Sequence, residues 1–157
     1  MAGSKSFDPR SMAAAERNIA AVIEAGKRGM VAALPVIGIE ATNVIKILLT
    51  HPSPSAPGEP PGLVYGGARL SYNWDVGGVG EVHHVDIGSD AATRRPITGE
   101  AVDYVKYLEN GTSKMAARPH LRPGMAIVAP TIGPTLSRAA TAAMRARAAS
   151  LRGTSSV

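Results

Sequence analysis

From about Ser11 to Thr50 the apolar residues recur at three- and four-residue steps, the spacing that places side chains on one face of an α-helix. In the first half of this stretch the residues of the apolar face are Met12, Ala15, Ile19, Val22, Ile23, Gly26 and Met30. Asp8 or Ser11 can cap the start of the helix. Pro35 lacks a backbone N–H and clashes with the preceding turn, so a kink or break is predicted there.

Further along the chain the pattern changes to strict alternation, with apolar residues at every second position. These positions are Leu70, Tyr72, Trp74 and Val76. Alternation predicts a half-buried strand, in which Trp74 anchors the core. The glycines in residues 77–80 predict a turn, and residues 81–87 then return as the antiparallel partner strand of a hairpin.

In the remaining third of the chain the residue pattern predicts mostly helix. Residues 103–109 fit either a strand or a short helix, and Asn110-Gly111 supplies the turn that ends it. Two further helices are predicted, over residues 119–129 and from about Pro134 to Leu151, the first opened by prolines that a first helical turn accepts. Together these elements predict an α+β fold, in which a long N-terminal helix packs on a small antiparallel sheet, with a C-terminal helix.

The predicted domain organisation is a flexible N-terminus (residues 1–10), one α+β domain (11–151) and a disordered tail (152–157). Within the domain, residues 51–62 contain five prolines and can neither continue a helix nor join the interior of a sheet. So long a segment without secondary structure is unusual inside a compact domain. We therefore predict a proline-rich arm that reaches another subunit.

Charge is distributed unevenly along the 157 residues, whose net charge is +5. No acidic residue follows Glu109, whereas seven Lys and Arg residues do. Such a segment usually meets something acidic, such as DNA or a partner subunit, although a solvated helix face is an alternative. The candidate residues for facing DNA or a partner are Lys114, Arg138, Arg145 and Arg147.

Motifs that carry catalysis are missing from the sequence. With no cysteine, disulfides, thiolate metal sites and a cysteine nucleophile are excluded. His83 and His84 are adjacent in a predicted strand and so point to opposite faces, and no serine stands in a nucleophile elbow. We therefore expect no enzymatic activity, no cofactor and no bound metal. Without a secretory signal or an apolar run of about 18 residues, membrane contact is not expected either.

The most specific signal is the block YVKYLENGTSKMAARPHLRP, residues 104–123. It resembles the signature of the siphophage minor tail or neck proteins, the tail-completion or head-tail joining family of long-tailed bacteriophages. The positions that fit are Tyr104, Tyr107, Glu109, Gly111, Thr112, Ser113, Lys114, Met115, Ala117, Arg118, Pro119, Leu121, Arg122 and Pro123. The proline arm at residues 55–62 also resembles that family. In the block itself, Arg118 and Arg122 are predicted to lie one helical turn apart and to bind carboxylates bidentately.

The resemblance implies a structural virion protein, assembled in the host cytoplasm as a hexameric ring around the DNA channel. Its partners would be the head-closure or connector proteins on one side and the tail terminator or tail tube on the other. Non-specific contact with packaged DNA is a further candidate interaction. The predicted subunit contacts are Ser55, Pro57, Glu59, Pro60, Glu109, Arg118 and Arg122. Two alternatives remain open, a DNA-binding module that uses the basic C-terminal third and a tail terminator ring subunit.

Overall fold

The computed structural model has the predicted α+β architecture, with two long helices, a β-hairpin and a short helix. It describes residues 9–50, 56–60, 71–89, 92–94 and 101–153. The elements are α1 (Pro9–Leu48), β1 (Tyr72–Val79), β2 (Val82–Ser89), β3 (Ala92–Arg94), β4 (Ala101–Asp103), α2 (Tyr104–Asn110) and α3 (Leu121–Gly153). β1 pairs with β2, and β3 with β4, as two separate antiparallel sheets.

α1 is one continuous helix that passes through Pro35, so the break predicted there as the alternative to a kink does not occur. In an α-helix each N–H donates to the carbonyl four residues earlier. Pro35 has no N–H, so the hydrogen bond to the carbonyl of Val31 is lost. The apolar face continues on both sides of the proline. Packing of that face stabilises the helix across the missing bond.

α3 is likewise a single helix where two were predicted. Its prolines, at positions 123, 130 and 134, are seven and four residues apart and share one face of the helix. Pro130 and Pro134 are exposed, as is Ala126, whose carbonyl loses its helical partner. Because these freed carbonyls lie on the solvent side, water can satisfy them and the helix need not end.

The β1–β2 hairpin is present as predicted, but with a tighter turn. The strands pair from Tyr72 with Ser89 to Val79 with Val82, which leaves a two-residue loop. Gly80 occupies the first loop position with φ = 63°, a conformation that suits glycine in such hairpins. Gly77 and Gly78, predicted in the turn, instead lie within β1, opposite His84 and His83.

Contacts divide the chain into two compact units. The terminal unit comprises Met1–Ala33 and Pro134–Val157, and the central unit comprises Leu34–Gly133. Both long helices therefore contribute to both units, and each passes from one to the other beside a proline, Pro35 in α1 and Pro134 in α3.

In the terminal unit, α1 and α3 run antiparallel and approach closely through small residues. Gly26 lies against Met144, and Gly29 lies against Ala139 and Ala143. A Cβ atom added at Gly29 would come within 2.7 Å of the Ala139 carbonyl oxygen. Glycine at this position allows the two backbones to touch.

The core of the central unit combines all its element types. Its buried residues are Ile45, Leu49, Tyr72 and Val105, against which Ile87, Leu121 and Met125 pack. Trp74 is half-buried and its indole covers Gly38 of α1, which agrees with the predicted anchoring role. Ile45 packs in the same way on Gly124 of α3. The long helix thus packs on the hairpin as the fold prediction stated.

By length and composition alone, α1 is long and apolar enough over Arg10–Leu48 to cross a membrane. One third of its most apolar stretch is buried inside the protein. A core helix of a soluble protein meets the same criterion, so the finding describes the apolar character of α1 and not its location.

Candidate functional site

The segment that carries the sequence resemblance starts in α2 and leaves this helix through a glycine. Gly111 has φ = 73°, and its N–H donates to the carbonyl of Tyr107 at 2.8 Å. The side-chain amide of Asn110 donates to the carbonyl of Lys106 at 3.1 Å. A residue at positive φ just beyond the last turn is a common helix ending. A Cβ atom here would also lie 2.7 Å from the backbone nitrogen of Ala117.

After α2 the chain makes a tight turn and runs back beside the helix. Thr112 and Met115 exchange two backbone hydrogen bonds of 2.8 and 3.3 Å. The Thr112 hydroxyl also accepts the N–H of Lys114 at 3.2 Å. Farther on, the N–H of Arg118 donates to the carbonyl of Leu108 at 2.7 Å, which ties the returning segment to α2.

The described part of the proline arm is a tight turn bonded to this same segment. The N–H of Glu59 donates to the carbonyl of Ala56 at 3.1 Å, and the Glu59 carboxylate accepts the N–H of Ala56 at 2.9 Å. Pro57 and Gly58, with φ = 86° at Gly58, occupy the two central positions that suit them in a type II turn. The N–H of Gly58 donates to the carbonyl of Ala117 at 3.0 Å. Two segments far apart in sequence are therefore in direct contact.

Glu109 caps the N-terminus of α3 from a different helix. Its carboxylate oxygens accept three consecutive backbone N–H groups, those of His120 (2.8 Å), Leu121 (3.0 Å) and Arg122 (3.1 Å). The next residue, Pro123, has no N–H, and the N–H of Gly124 donates to the His120 carbonyl at 3.1 Å. Every backbone donor of the first turn, where a helix offers no internal acceptor, is accounted for.

The protonation of Glu109 follows from these contacts. Burial of the side chain, only 8% of which is exposed, by itself raises the pKa of a carboxyl group. The three backbone N–H donors and the nearby imidazole of His120 more than offset burial, so the pKa of Glu109 lies below its ordinary value. The group is a carboxylate at neutral pH.

The arm turn, the end of α2, the returning segment and the start of α3 are thus bonded to one another. We call residues 56–60 and 107–124 together the signature joint.

His120 is fully buried and joins the signature joint to the hairpin. Its Nδ1 lies 3.1 Å from the carbonyl oxygen of Arg118 and 3.3 Å from the carboxylate of Glu109. Because both neighbours are acceptors, Nδ1 carries a proton. In the neutral ring Nε2 then accepts the hydroxyl proton of Tyr72, whose oxygen is 2.8 Å away.

Tyr72, His120 and Glu109 form a hydrogen-bonded series that resembles a proton relay. Its contacts are all made within the chain. All three side chains are buried, and both oxygens of Glu109 are occupied by backbone donors. These contacts orient the ring and hold the start of α3. No local pattern in the sequence indicates these contacts, because the side-chain partners of His120 are 11 and 48 residues away in the chain.

The predicted subunit-contact residues have different surroundings. Pro57, Glu59 and Pro60 lie in the arm turn, where Glu59 is exposed, whereas Ser55 lies outside the described residues. The carboxylate of Glu109 accepts three backbone N–H groups of its own chain. The described members of the set all belong to the signature joint, but only some of them are at its surface.

Arg118 and Arg122 do not lie one helical turn apart, which corrects the prediction for this pair. Arg118 belongs to the extended segment before α3 and is half-buried, whereas Arg122 is exposed in the first turn of α3. The helix starts only at Leu121, where the Glu109 cap supplies acceptors for its first N–H groups.

The candidate DNA- or partner-facing residues fall into two groups. Lys114 is exposed in the tight turn of the central unit, whereas Arg138, Arg145 and Arg147 are exposed on α3 in the terminal unit. Arg138, Arg145 and Arg152 recur every seven residues and so share one face, on which about 20° separates each residue from the next. Arg147 points elsewhere. The terminal unit has eight basic and two acidic side chains among its described residues.

Exposed apolar side chains on α1 form a surface that sequence reasoning did not separate from the core. Met12, Ile19, Ile23 and Met30 are between 39% and 61% exposed. They are spaced by seven, four and seven residues and therefore form one stripe, which we call the α1 stripe. Gly26, on the same face between Ile23 and Met30, is instead buried against Met144 of α3, and Gly29 lies beside this face against Ala139 and Ala143. Periodicity alone could not show which apolar residues would be covered.

Within the described residues, no group of three or more His, Asp or Glu side chains could hold a metal ion.

Comparison with known proteins leaves the resemblance noted in the sequence without independent support. No protein-family profile matches the chain, and no curated protein or solved structure matches it significantly.

Proposed function

We propose that the chain is a non-enzymatic structural subunit of the head-to-tail connection of a long-tailed bacteriophage. The observation that carries the proposal is the signature joint. The arm and the block of residues 104–123 resemble the same protein family, and they are bonded to each other through Gly58 and Ala117. A resemblance spread over two distant segments has more weight when those segments form one structural part.

In this role the chain forms a hexameric ring around the DNA channel, between the head-closure ring and the tail terminator or tail tube. The exposed apolar side chains of α1 support an oligomer, because a contiguous apolar surface on a small protein commonly marks an interface. A closed ring needs two different, complementary surfaces on each copy. The role of tail terminator ring subunit uses the same geometry and remains the alternative within this proposal.

Deleting the gene from the phage that encodes it tests the function directly. The expected result is DNA-filled heads and separate tails, with joining restored when the purified protein is added to the lysate. Negative-stain images of the protein, with and without the neighbouring gene products, should show rings. A deletion phage that still assembles infectious, joined particles would refute the proposal.

A second candidate, a DNA-binding module, is favoured by the basic terminal unit. The Arg138, Arg145 and Arg152 face of α3 could contact phosphates at a regular spacing. Binding to a duplex should then weaken steeply between 50 and 200 mM salt, which fluorescence anisotropy measures. Replacing the three arginines with glutamine should reduce the salt slope, and unchanged binding by this variant would eliminate the candidate.

A further inference from the structure

We infer that the chain has a hinge at the boundary of its two compact units, at Pro35 in α1 and Pro134 in α3. This boundary falls between residues 33 and 34 in α1 and between residues 133 and 134 in α3. The hinge lets the terminal unit change its orientation while the central unit keeps its shape. The inference concerns the chain itself and does not depend on the proposed ring.

Each of the two long helices lacks one of the hydrogen bonds that would span this boundary. Because an N–H in an α-helix donates to the carbonyl four residues earlier, four hydrogen bonds span any point along a helix. In α1 the missing one is the bond from Pro35 to the carbonyl of Val31. In α3 it is the bond from Pro134 to the carbonyl of Pro130. The same interruption therefore occurs in both helices at the unit boundary.

The residues before the two prolines weaken the helices further. A residue that precedes proline is disfavoured in the helical conformation, because its N–H and Cβ clash with the proline ring. Leu34 has this position in α1 and Gly133 has it in α3. A Cβ atom added at Gly133 would have no described atom of a neighbouring segment within 4 Å, so nothing packed on this residue opposes a bend. Sharp bends in helices are found mainly at proline, and both helices can therefore bend at the boundary.

Each unit has its own contacts between α1 and α3 and can keep its packing while the helices bend. In the terminal unit Gly29 lies against Ala139 and Ala143. In the central unit the hydroxyl of Thr131 lies 3.2 Å from a carboxylate oxygen of Glu40, to which it donates. All these contacts lie within one unit, so bending at the two prolines breaks none of them. Rigid bodies joined by a few residues that absorb the backbone change are the usual form of a hinge.

Bending at the hinge redirects the part of the chain that holds its positive net charge. Among its described residues the terminal unit has eight basic and two acidic side chains. A partner that binds this unit would select among its orientations, because a ligand shifts a conformational equilibrium toward the state that it binds better. The signature joint lies wholly within the central unit and stays intact.

Distances between pairs of spin labels test the hinge, and the lack of native cysteine means that each label is attached only to an introduced thiol. Ala20→Cys in the terminal unit and Ala126→Cys in the central unit form the test pair, and both positions are exposed. Ser137→Cys and Ala149→Cys, both exposed in the terminal unit, form the matched control pair. Labelled protein is diluted with unlabelled protein, so that only distances within one chain are measured. The distance distribution of the test pair should be at least about twice as wide as that of the control pair.

Restoring the missing donors should remove the extra width. Pro35→Ala with Pro134→Ala returns an N–H to both helices at the boundary, so the test-pair distribution should narrow toward the width of the control pair. Pro130→Ala is the matched control variant, because the hydrogen bond that it restores lies wholly within the central unit. Circular dichroism checks the fold of each variant. A test pair as narrow as the control pair in the wild-type protein would overturn the inference, and so would equal narrowing by Pro130→Ala.

Hydrogen exchange of the wild-type protein is a second test, which needs no substitution. The N–H groups of residues 36–38 and 135–137, which follow the two prolines, should exchange at least about tenfold faster than those of residues 24–28 and 141–145 in the same helices. Equal exchange in these regions would show that the helices stay closed at the boundary, which contradicts the hinge.

Discussion

At the scale of single residues, Glu109 has a role that a helix usually assigns to its own first residue. An N-cap side chain normally accepts one N–H two or three residues ahead. Here one carboxylate accepts three N–H groups that follow it by 11 to 13 residues, and Pro123 removes the fourth donor. The start of α3 is therefore determined by a tertiary contact with α2.

Glu109→Gln should lower the free energy of unfolding by about 1–2 kcal/mol, because the cap loses its charge and one of its two acceptor atoms. Urea unfolding followed by circular dichroism measures the change. Glu59→Gln is the matched control: this carboxylate also accepts a backbone N–H, but at an exposed turn. Its effect should stay within about 0.5 kcal/mol. Equal losses in the two variants would contradict the role given to Glu109.

The stability of the protein should depend on pH through the same group. The pKa of Glu109 is lower in the folded protein than its ordinary value of 4.5, so the carboxylate favours folding at higher pH. Its contribution is fully present above that ordinary value and is lost as the pH falls through the lower folded value. Unfolding curves between pH 6 and about pH 3 should show this decrease. The decrease should be smaller in Glu109→Gln, and an identical pH profile would disprove the assignment.

Tyr72→Phe should cost about 1–3 kcal/mol, because it leaves the buried Nε2 of His120 without its hydroxyl partner. Tyr107→Phe removes a hydroxyl from a more exposed ring and serves as the control. Thermal unfolding of both variants measures the difference. A cost at Tyr107 equal to that at Tyr72 would show that the buried contact is not the cause.

At the scale of elements, glycine and proline have roles here opposite to their usual ones. Prolines normally end helices, yet α1 and α3 continue through them, since each removes only one donor and those at 130 and 134 face solvent. Glycine normally weakens a helix, yet Gly29 allows α1 to contact the backbone of α3. Helix contacts within each unit therefore outweigh local propensity.

Gly29→Ala should destabilise the protein by about 1–3 kcal/mol, although the same change in an isolated helix is stabilising. The added Cβ would lie 2.7 Å from the Ala139 carbonyl oxygen and 2.8 Å from the Cβ of Ala143, so the helices must separate. Gly133→Ala is the control, because a Cβ atom added at this position of α3 would have no described atom of a neighbouring segment within 4 Å. It should stabilise by up to about 1 kcal/mol. Shifts of the urea midpoint in opposite directions are the expected result.

At the scale of the whole molecule, charge and exposed apolar surface are both unevenly distributed. The positive net charge of the chain resides in the terminal unit, and the hairpin of the central unit is acidic. Both the terminal unit and the hairpin also expose apolar side chains, on α1 and at Val79 and Val82. This distribution suits association between unlike surfaces.

Ile19→Ser with Ile23→Ser should reduce the mass of the oligomer while leaving each copy folded. Both side chains are exposed, so the free energy of unfolding of the monomer should change by no more than about 0.5 kcal/mol. Analytical ultracentrifugation measures the mass and circular dichroism the fold. Val36→Ser, equally exposed but outside the α1 stripe, should leave the mass unchanged. If Val36→Ser lowered the mass of the oligomer as much as the isoleucine variant does, the α1 stripe would not be the interface.

The fold class and the hairpin could be predicted because each rests on local patterns, whereas residues 103–109 fitted a strand as well as the short helix α2 that the structure has. Alternation gives the half-buried strand, and the glycine at 111 gives the end of α2, since both depend on backbone geometry within a few residues. The proline-rich arm and the block of residues 104–123 were also recognised from their local sequence, although the turn within the arm was not predicted. Their bond through Gly58 and Ala117 was not, because it joins residues 59 positions apart.

The sequence by itself indicated the α+β fold, the long helical regions and the hairpin, excluded thiol chemistry for lack of cysteine, and made the C-terminal third basic. Only the tertiary structure decided that α1 and α3 are unbroken, that Glu109 caps α3, and that Ile19 and Ile23 stay exposed whereas Gly26, on the same face of α1, is buried against α3. The physical reason is the distance along the sequence over which each interaction acts. Periodicity and turn chemistry act over a few residues, whereas burial and capping depend on which distant segment supplies the contact.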